Sequence, residues 1–457
     1  MKELFKQRDF RRLLIGQAVS LLGDWTGTLA LMYFVLELSG STTAVGGILV
    51  LRLLPSAVGG PLAAQVVSRW NRRRVMLASD LVRAGMAIAL PVLPWLAWVY
   101  FWAFAIEVVG LVFLPARDAA IPLLISGKDE AESDARTLSL ANGITMGASY
   151  GMIPVGAGLF GLILLVSRSA GWGGHWQYVV VFWLNALSYL VSYAAVRTIP
   201  DLGPRPSEYA EAGRAEGEGS RGESGRAEGD QEKPAQDESE QDVGMLAALR
   251  IPVVRAVLPA TAVVALGLGA LFSLGVVFVR DVLNAGPVGF GALVALFGVG
   301  AAGGLALQAR TSRRGNLLAT VRLSTATQGI VIATMGAIAA TAWAFLGAVL
   351  FGAAATVALV SAITYLQQNL AGVRRNLGLT AFHACLRFAL AMAALAAGAA
   401  ADLLNPFHLV LFGTVAPAQA VLAASGLVVV AGSLLVRGGT HGADDRPRAA
   451  REDRSRR

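Results

Sequence analysis

The sequence predicts an all-α integral membrane protein with twelve transmembrane helices, and three observations support this fold class. The chain has 457 residues, of which 55% are hydrophobic and 15% are charged, whereas soluble domains are about one-quarter charged. Twelve apolar segments are each long enough to cross a bilayer core, which takes about 20 helical residues. Basic residues cluster at every second connection between these segments. The 52 glycines are typical of closely packed membrane helices, because small side chains let helix backbones approach each other.

Most connections between the segments are short, so consecutive helices are expected to be antiparallel neighbours. Several segments are longer than the bilayer requires, which allows the helices to tilt. The predicted segments span residues 13–36, 44–67, 75–97, 99–123, 138–166, 176–198, 254–279, 287–308, 316–340, 342–367, 378–401 and 409–436.

Lysine and arginine residues give the predicted orientation. One set of segment ends carries most of them, whereas the other set carries little beyond Arg168 and Arg280. Cytoplasmic loops of membrane proteins are enriched in these two residue types. We therefore expect a multi-pass membrane protein with both termini in the cytoplasm.

A polar stretch divides the chain into two six-helix halves. Residues 1–199 form the predicted N-terminal bundle and residues 249–437 the C-terminal bundle. The stretch 200–248 is rich in Gly, Glu and Ser and has no apolar periodicity, so it cannot bury enough surface to offset chain entropy. We predict a disordered cytoplasmic linker there, either a plain tether or a regulatory segment. Residues 438–457 are predicted to be a disordered cytoplasmic tail.

The sequence contains no pattern for enzyme chemistry. There is no P-loop lysine motif and no serine elbow. The single cysteine, Cys385, excludes a cysteine-cluster metal site. The net charge of +8 reflects arginine in the predicted cytoplasmic loops rather than a nucleic-acid surface. We expect no catalytic residue, cofactor, metal or nucleic-acid partner.

Three charged residues are predicted near the middle of the membrane. Asp24 lies roughly 18 Å from the cytoplasmic side and Arg52 roughly 12 Å from the outside, at about 1.5 Å per residue, and Glu107 descends to nearly the same level. Intramembrane charges are costly and mark functional sites by default. One hypothesis is that Asp24 or Glu107 carries a proton coupled to transport. The alternative is a structural pair of Asp24 with Arg52, with Glu107 bonded to a neighbouring backbone.

The turn between segments 2 and 3 resembles the loop pattern G-x-L-A-D-R-x-G-R-R of the major facilitator superfamily. Arg69, Arg72 and Arg73 match its basic positions, and Ser68 stands in the place of its aspartate. The sequences FRRLL at 10–14, SLLGDW at 20–25, RLLP at 52–55 and PAR at 115–117 resemble the drug and siderophore exporter branch, which includes macrolide efflux proteins. The resemblance implies two pseudo-symmetric six-helix bundles, a bacterial inner membrane and a monomer.

The resemblance also implies a gate at the cytoplasmic end. It would close when the transporter faces outward, and the alternative is a set of solvated loop charges. The predicted gate residues are Arg69, Arg72, Arg73, Asp80, Arg83, Arg117 and Asp118.

Segment 5 combines glycines at four-residue spacing with a proline. Gly147 and Gly151 lie on one face, which permits close helix approach, and Pro154 removes a backbone hydrogen bond and favours a kink. This pattern resembles the glycine-proline signature of the exporter branch, which is associated with antiport. The alternative is helix packing alone.

Polar and aromatic side chains are candidates for a substrate cavity, since apolar cavities with a few polar anchors suit bulky amphiphiles. His383 and Arg387 are four residues apart and share one helix face. Ordinary packing is the alternative for all of these residues. The candidates are Trp25, Tyr33, Asn142, Tyr150, His383 and Arg387.

Together these features predict a secondary active transporter that exports a hydrophobic or amphiphilic small molecule, such as a drug, macrolide or siderophore. Export would be coupled to protons and would proceed by alternating access. Two alternatives remain: uptake or facilitated diffusion of another solute, and a degenerate transporter that serves as a membrane scaffold or sensor.

Overall fold

The computed structural model describes eight stretches of the chain, namely residues 7–59, 70–125, 135–200, 248–311, 316–370, 372–405, 409–410 and 414–434. Twelve α-helices lie within these stretches. They are α1 (Arg8–Ser39), α2 (Thr42–Val58), α3 (Arg72–Ala89), α4 (Leu96–Ile125), α5 (Ala135–Ser169), α6 (His175–Arg197), α7 (Pro252–Val277), α8 (Gly286–Thr311), α9 (Leu317–Ile338), α10 (Thr341–Asn369), α11 (Gly372–Leu404) and α12 (Pro417–Ser433). A π-helical turn, Phe278–Val282, extends α7. The predicted linker and tail and Arg69 lie outside the described residues, apart from the outermost positions of the linker.

The helix boundaries follow local chemistry. Asn71 and Asn316 cap α3 and α9 by accepting hydrogen bonds from backbone N–H groups of the first turn. The sequence predicted that segment 3 continues to residue 97, but α3 ends at Ala89. Pro91 and Pro94 follow, and proline cannot donate the backbone hydrogen bond that a continuing helix needs.

The last helix also begins later than predicted. The sequence predicts that segment 12 begins at residue 409, but α12 starts at Pro417. Leu409–Val410 and Thr414–Val415 form a two-residue antiparallel ladder before it. Apart from this ladder, the regular structure of the described stretches is helical, which confirms the all-α prediction.

Nine of the helices in the described part are long and apolar enough to cross a membrane. Helices α2 and α12 are apolar but shorter. Helix α3 carries three arginines in its first turn, together with Asp80 and Arg83 farther along. Its charges explain why it is the least apolar of the twelve.

Two bundles repeat the same neighbours. In the first bundle, α1 to α6, contacts join α1 with α5, α2 with α4, and α3 with α6. In the second bundle, α7 to α12, the corresponding contacts join α7 with α11, α8 with α10, and α9 with α12. A helix and its counterpart six places later therefore occupy equivalent positions.

Side-chain hydrogen bonds establish which helix ends lie together. Arg12 at the start of α1 donates to the carbonyl of Thr198, and Arg73 at the start of α3 donates to the carbonyl of Arg197. Gln7 donates to the carbonyl of Ile125 at the end of α4. We call this end, where the odd-numbered helices begin, the basic end, and the other the opposite end.

The apolar cores show that the two bundles meet at the opposite end. One large core contains residues of both bundles, including Tyr33, Phe160 and Phe290. Toward the basic end, the first bundle has its own core around Phe113 and the second has another around Phe382. In the described residues the bundles therefore share a core at the opposite end and are separately packed at the basic end.

Helices α5 and α8, one from each bundle, also separate toward the basic end. Gly291, Gly298 and Leu305 follow one another at seven-residue intervals on α8. A side chain at Gly291 would lie 2.7 Å from the Ala157 carbonyl of α5, and one at Gly298 would lie 2.7 Å from Pro154. Leu305 on the same face is 54% exposed. The two helices thus touch from the opposite end to Pro154 and separate beyond it.

Candidate functional site

Two oppositely charged side chains meet inside the first bundle. Arg52 of α2 and Glu107 of α4 form an ion pair in which Nη2 lies 2.5 Å from Oε1. Their side chains are 20% and 25% exposed. One of the two hypotheses paired Asp24 with Arg52 and placed Glu107 against a neighbouring backbone. In the structure, Arg52 and Glu107 instead bind each other. Pairing lowers the cost of both charges in a membrane.

Asp24 lies at the middle of α1 and contacts α6 and α3. The hydroxyl of Tyr189 in α6 donates a hydrogen bond to its Oδ1. The nearer guanidinium nitrogen of Arg83 in α3 lies 4.0 Å from its Oδ2. Asp24 therefore has a neutral donor at close range and a cation at a longer distance.

Arg83 is the centre of a buried network. Its Nη2 lies 2.6 Å from Oδ1 of Asp80, and Asp80 has no exposed surface. The guanidinium carbon lies 4.7 Å from the ring centre of Phe113 and 4.4 Å from that of Tyr189, within the range of cation–π attraction. Both Arg83 and Asp80 were predicted at the cytoplasmic gate. The structure pairs them with each other inside the first bundle, next to Asp24.

Three of these charged residues, Asp24, Arg52 and Glu107, line a small cavity whose lining residues all belong to the first bundle. The space open to water is about 20 Å³, which is room for a water molecule but not for an organic substrate. The cavity is thus suited to protons and water. Its lining residues are Asp24, Gly27, Leu31, Arg52, Leu90, Ala103, Ile106, Glu107, Phe182, Asn185 and Tyr189.

The other predicted gate residues have varied surroundings. Arg72 is buried at the start of α3. Arg73 donates to the last carbonyls of α6, a position where a cation also stabilises the helix dipole. Arg117 is buried and pairs with its sequence neighbour Asp118, whose carboxylate is half exposed. The contacts of Arg73, Arg117 and Asp118 described here all lie within the first bundle.

The predicted substrate-cavity residues whose side chains the structure describes lie in separate places. Tyr33 is buried in the core that both bundles share, near Phe160 and Phe290. Trp25 faces α5, because a side chain at Gly156 would lie 2.8 Å from the Trp25 Cβ.

The remaining cavity candidates lie on α5 and α11. His383 is exposed, and its Nδ1 lies 2.9 Å from the Leu379 carbonyl of its own helix. Arg387, one turn later, is partly buried. Asn142 and Tyr150 lie on α5, but their side chains are outside the described part of the structure.

The glycine-proline pattern of α5 sits at the crossing with α8. Gly151 is exposed, with open space where a side chain would point. Pro154 lies inside the helix and contacts Gly298. Gly147 belongs to the same helix.

Two residues of the network escaped the sequence analysis. Tyr189 and Phe113 surround Arg83, and Tyr189 also binds Asp24. Both look like ordinary core aromatics in the sequence. The four-residue spacing of Asn185 and Tyr189, which places both side chains on one polar face of segment 6, could have indicated Tyr189.

The comparison with known families decides the identity of the chain. A family model described as Major Facilitator Superfamily matches residues 13–394. The chain belongs to the Major Facilitator Superfamily. The resemblance found in its loops and helices is thereby confirmed, and the protein is a membrane transporter of small molecules rather than an enzyme.

Two similar proteins are named for export. Macrolide efflux protein A of Streptococcus pyogenes is 30% identical over 121 residues, which cover 25% of this chain and 30% of that protein. The putative bacilysin exporter BacE of Bacillus subtilis is 30% identical over 195 residues, covering 42% of this chain and 44% of that protein. The matched part is less than half the length of these relatives.

Solved structures support the major facilitator fold over nearly the whole chain. The nucleoside transporter NupG superposes with a TM-score of 0.66 at 12% identity, covering 94% of this chain and 98% of that one. A bacterial homologue of the human lysosomal transporter Spinster, in an inward-facing and occupied conformation, gives 0.66 at 13% identity over 95% of each chain. Likeness at such low identity shows the fold alone.

Proposed function

We propose that the protein is a proton-coupled exporter of hydrophobic or amphiphilic small molecules, and that it works as a monomer in a bacterial plasma membrane. We place the basic end in the cytoplasm, because cytoplasmic ends of membrane helices are enriched in lysine and arginine. The termini are then cytoplasmic as well. In this orientation the structure is an inward-facing state, closed at the opposite end, where the bundles share their core.

The charge balance of the network carries the proposal. Three carboxylates, Asp24, Asp80 and Glu107, lie near two guanidinium groups, Arg52 and Arg83. With all five ionised, three negative charges meet two positive charges, and one negative charge remains. Uptake of one proton neutralises the network. Because an uncompensated charge is costly in a membrane, the network favours uptake of that proton wherever it is shielded from water.

Asp24 is the carboxylate we assign to the proton. Glu107 and Asp80 each have a guanidinium nitrogen within 2.6 Å. Asp24 has its nearest described guanidinium at 4.0 Å and a neutral hydroxyl at close range. It also lines the water-sized cavity. A proton on Asp24 therefore disturbs no close ion pair.

The substrate class is inferred from the relatives and from the cavity. The relatives are named for macrolide efflux and for bacilysin export. The charged cavity is too small for such molecules, so the substrate path lies between the bundles, which diverge toward the basic end. The proton and the substrate then bind at separate sites. Movement of the first bundle relative to the second couples proton transfer to substrate transport.

The test is dissipation of a pH gradient in inverted vesicles that contain the protein. Drugs, macrolides and siderophores are added one at a time. We expect at least one compound to collapse the gradient only when the protein is present. Asp24→Asn should lower this response to that of empty vesicles, whereas Asp9→Asn should retain it. Asp9 is a matched control because it is a partly exposed carboxylate near the start of the same helix.

Several outcomes would contradict the proposal. Full substrate-dependent proton movement in folded Asp24→Asn would remove this residue from the coupling. Higher cell-associated substrate on expression would indicate uptake. A scaffold or sensor would be favoured if no compound in the panel collapsed the pH gradient although the protein was folded. In that case Arg52→Gln and Glu107→Gln should also leave the cellular role of the protein unchanged.

A further inference from the structure

A single carboxylate of the second bundle binds the first bundle at the opposite end. Asp402, in the last turn of α11, accepts hydrogen bonds from the start of α2. Its Oδ2 lies 2.6 Å from the Ser41 hydroxyl, 2.7 Å from the Thr43 hydroxyl and 2.9 Å from the Thr43 amide, and its Oδ1 lies 3.0 Å from the Thr42 amide. Four donors of one bundle thus converge on one side chain of the other.

The carboxylate completes the cap of α2. The first turn of a helix leaves backbone N–H groups without partners inside the helix. The Ser41 side chain accepts from the Ala44 amide, and Asp402 accepts from the two amides before it. The negative charge also lies at the positive end of the helix dipole. The start of α2 is therefore capped in part by the other bundle.

The backbones around this contact are too close for side chains. A side chain at Gly398, one turn before Asp402, would lie 2.5 Å from the Thr42 carbonyl. A side chain at Gly46 would lie 2.5 Å from the Ala394 carbonyl. Helices α2 and α11 thus touch along two turns below Asp402, and the hydrogen bonds cannot persist if these helices separate.

We propose that Asp402 is a latch that holds the opposite end closed and sets the balance between the two conformations of the transport cycle. The inference rests on the alternating-access cycle of the proposed function. Opening of the opposite end breaks all four hydrogen bonds at once and exposes two helix amides and a carboxylate. The apolar core closes the same end, but apolar contacts are less directional than charged hydrogen bonds. Asp402 therefore fixes the register of α2 against α11 in the closed state.

The experiment measures distances between spin labels at the opposite end. The full chain carries Cys385→Ser, so that it has no native cysteine. Ser169→Cys and Thr341→Cys then place one label on each bundle at exposed positions. We expect a single short distance in this parent. Asp402→Asn should add a longer-distance population, with a roughly tenfold rise in the open fraction, as loss of a charged hydrogen bond predicts.

Asp281→Asn is the matched control. Asp281 is also a carboxylate at the opposite end of the second bundle, but it pairs with its sequence neighbour Arg280. Its removal should leave the distances unchanged. Thr43→Val, which deletes one of the four donors and keeps the carboxylate, should give a smaller shift in the same direction as Asp402→Asn.

Distances identical to the parent in folded Asp402→Asn would overturn the latch. If Asp402→Asn does not fold, Thr43→Val decides instead, and an unchanged distance there overturns it. The distances are measured without transport. A shift in a protein that moves no protons in vesicles would therefore support the latch while the proposed function fails, and unchanged distances in an active transporter would remove the latch alone.

Discussion

At the scale of single residues, the first bundle holds its charges by unequal contacts. Asp24 depends on a tyrosine hydroxyl, whereas the other two acids of the network have close guanidinium partners. The Tyr189 ring also lies against Arg83. A change that removes the hydroxyl and keeps the ring therefore separates the hydrogen bond from the cation–π contact.

Tyr189→Phe should weaken proton coupling at a small cost in stability. Loss of one hydrogen bond inside a membrane protein costs about 1 kcal/mol. We expect a thermal midpoint a few degrees lower and a reduced pH-gradient response to substrate. Tyr100→Phe is the matched comparison, because its hydroxyl donates to the Ala44 carbonyl and, among the described residues, bonds to no carboxylate. Equal transport in the two variants would contradict a role for the Tyr189 hydroxyl.

The sequence predicted the depth of the charged residues but not their partners. Rise per residue places Asp24, Arg52 and Glu107 at one level, and all three line one cavity. Depth does not determine the rotation of each helix about its axis, and the sequence therefore could not show that Arg52 pairs with Glu107 rather than with Asp24. Asp402 was missed because its four donors lie about 360 positions earlier in the chain.

At the scale of helices, the crossing of α5 and α8 divides the closed half from the open half. Pro154 and Gly298 touch there. On the side of the opposite end the two backbones stay in contact, and on the side of the basic end Leu305 is exposed. Any movement of one bundle against the other therefore changes the contact between Pro154 and Gly298.

Gly298→Ala should destabilise the protein, although alanine favours helix formation more than glycine does. The added methyl group would lie 2.7 Å from two carbons of the Pro154 ring. Overpacking of this kind costs about 1–3 kcal/mol. Gly303→Ala on the same helix meets nothing within 4 Å and gains the same propensity. We expect a lower thermal midpoint for Gly298→Ala than for Gly303→Ala, and the reverse order would be inconsistent with a tight crossing.

Most helices could be located from the sequence, because apolar runs of 20 or more residues are unambiguous. Two boundaries could not. The predicted segment 3 ignored Pro91 and Pro94, and the predicted segment 12 included the apolar ladder residues Leu409–Val410. A short apolar run looks the same in a strand, a turn and a helix end.

At the scale of the whole molecule, the proposed alternating-access cycle makes this structure one of two packings of the same chain. The resemblance implies two pseudo-symmetric bundles, but the expectation that consecutive helices are neighbours does not give the repeated contacts, which join non-consecutive helices such as α1 with α5 and α7 with α11. The sequence does not predict which end is closed. That depends on a difference of a few kcal/mol between conformations, to which contacts such as those of Asp402 contribute.

Thiol labelling should report the closed end. In a Cys385→Ser background, Leu305→Cys should react rapidly with a water-soluble maleimide, because Leu305 is exposed beyond the crossing. Ala157→Cys should be protected, since Ala157 is fully buried against α8. Labelling in the unfolded state gives the reference for both. Rapid reaction at residue 157 with protection at residue 305 would mean that the open and closed ends are reversed in the membrane.

The acids of the protein are distributed unevenly between the bundles. In the described residues of α7 to α12 the carboxylates are Asp281 and Asp402, both at the opposite end. The interior acids among the described residues belong to the first bundle. Under the proposed function, a lineage under selection for a new substrate can therefore accumulate substitutions in the second bundle while the proton-coupling acids stay unchanged. If the protein exports drugs as proposed, variants with an altered substrate range should map mainly to α7–α12, and variants that lose all transport should map to the network around Arg83.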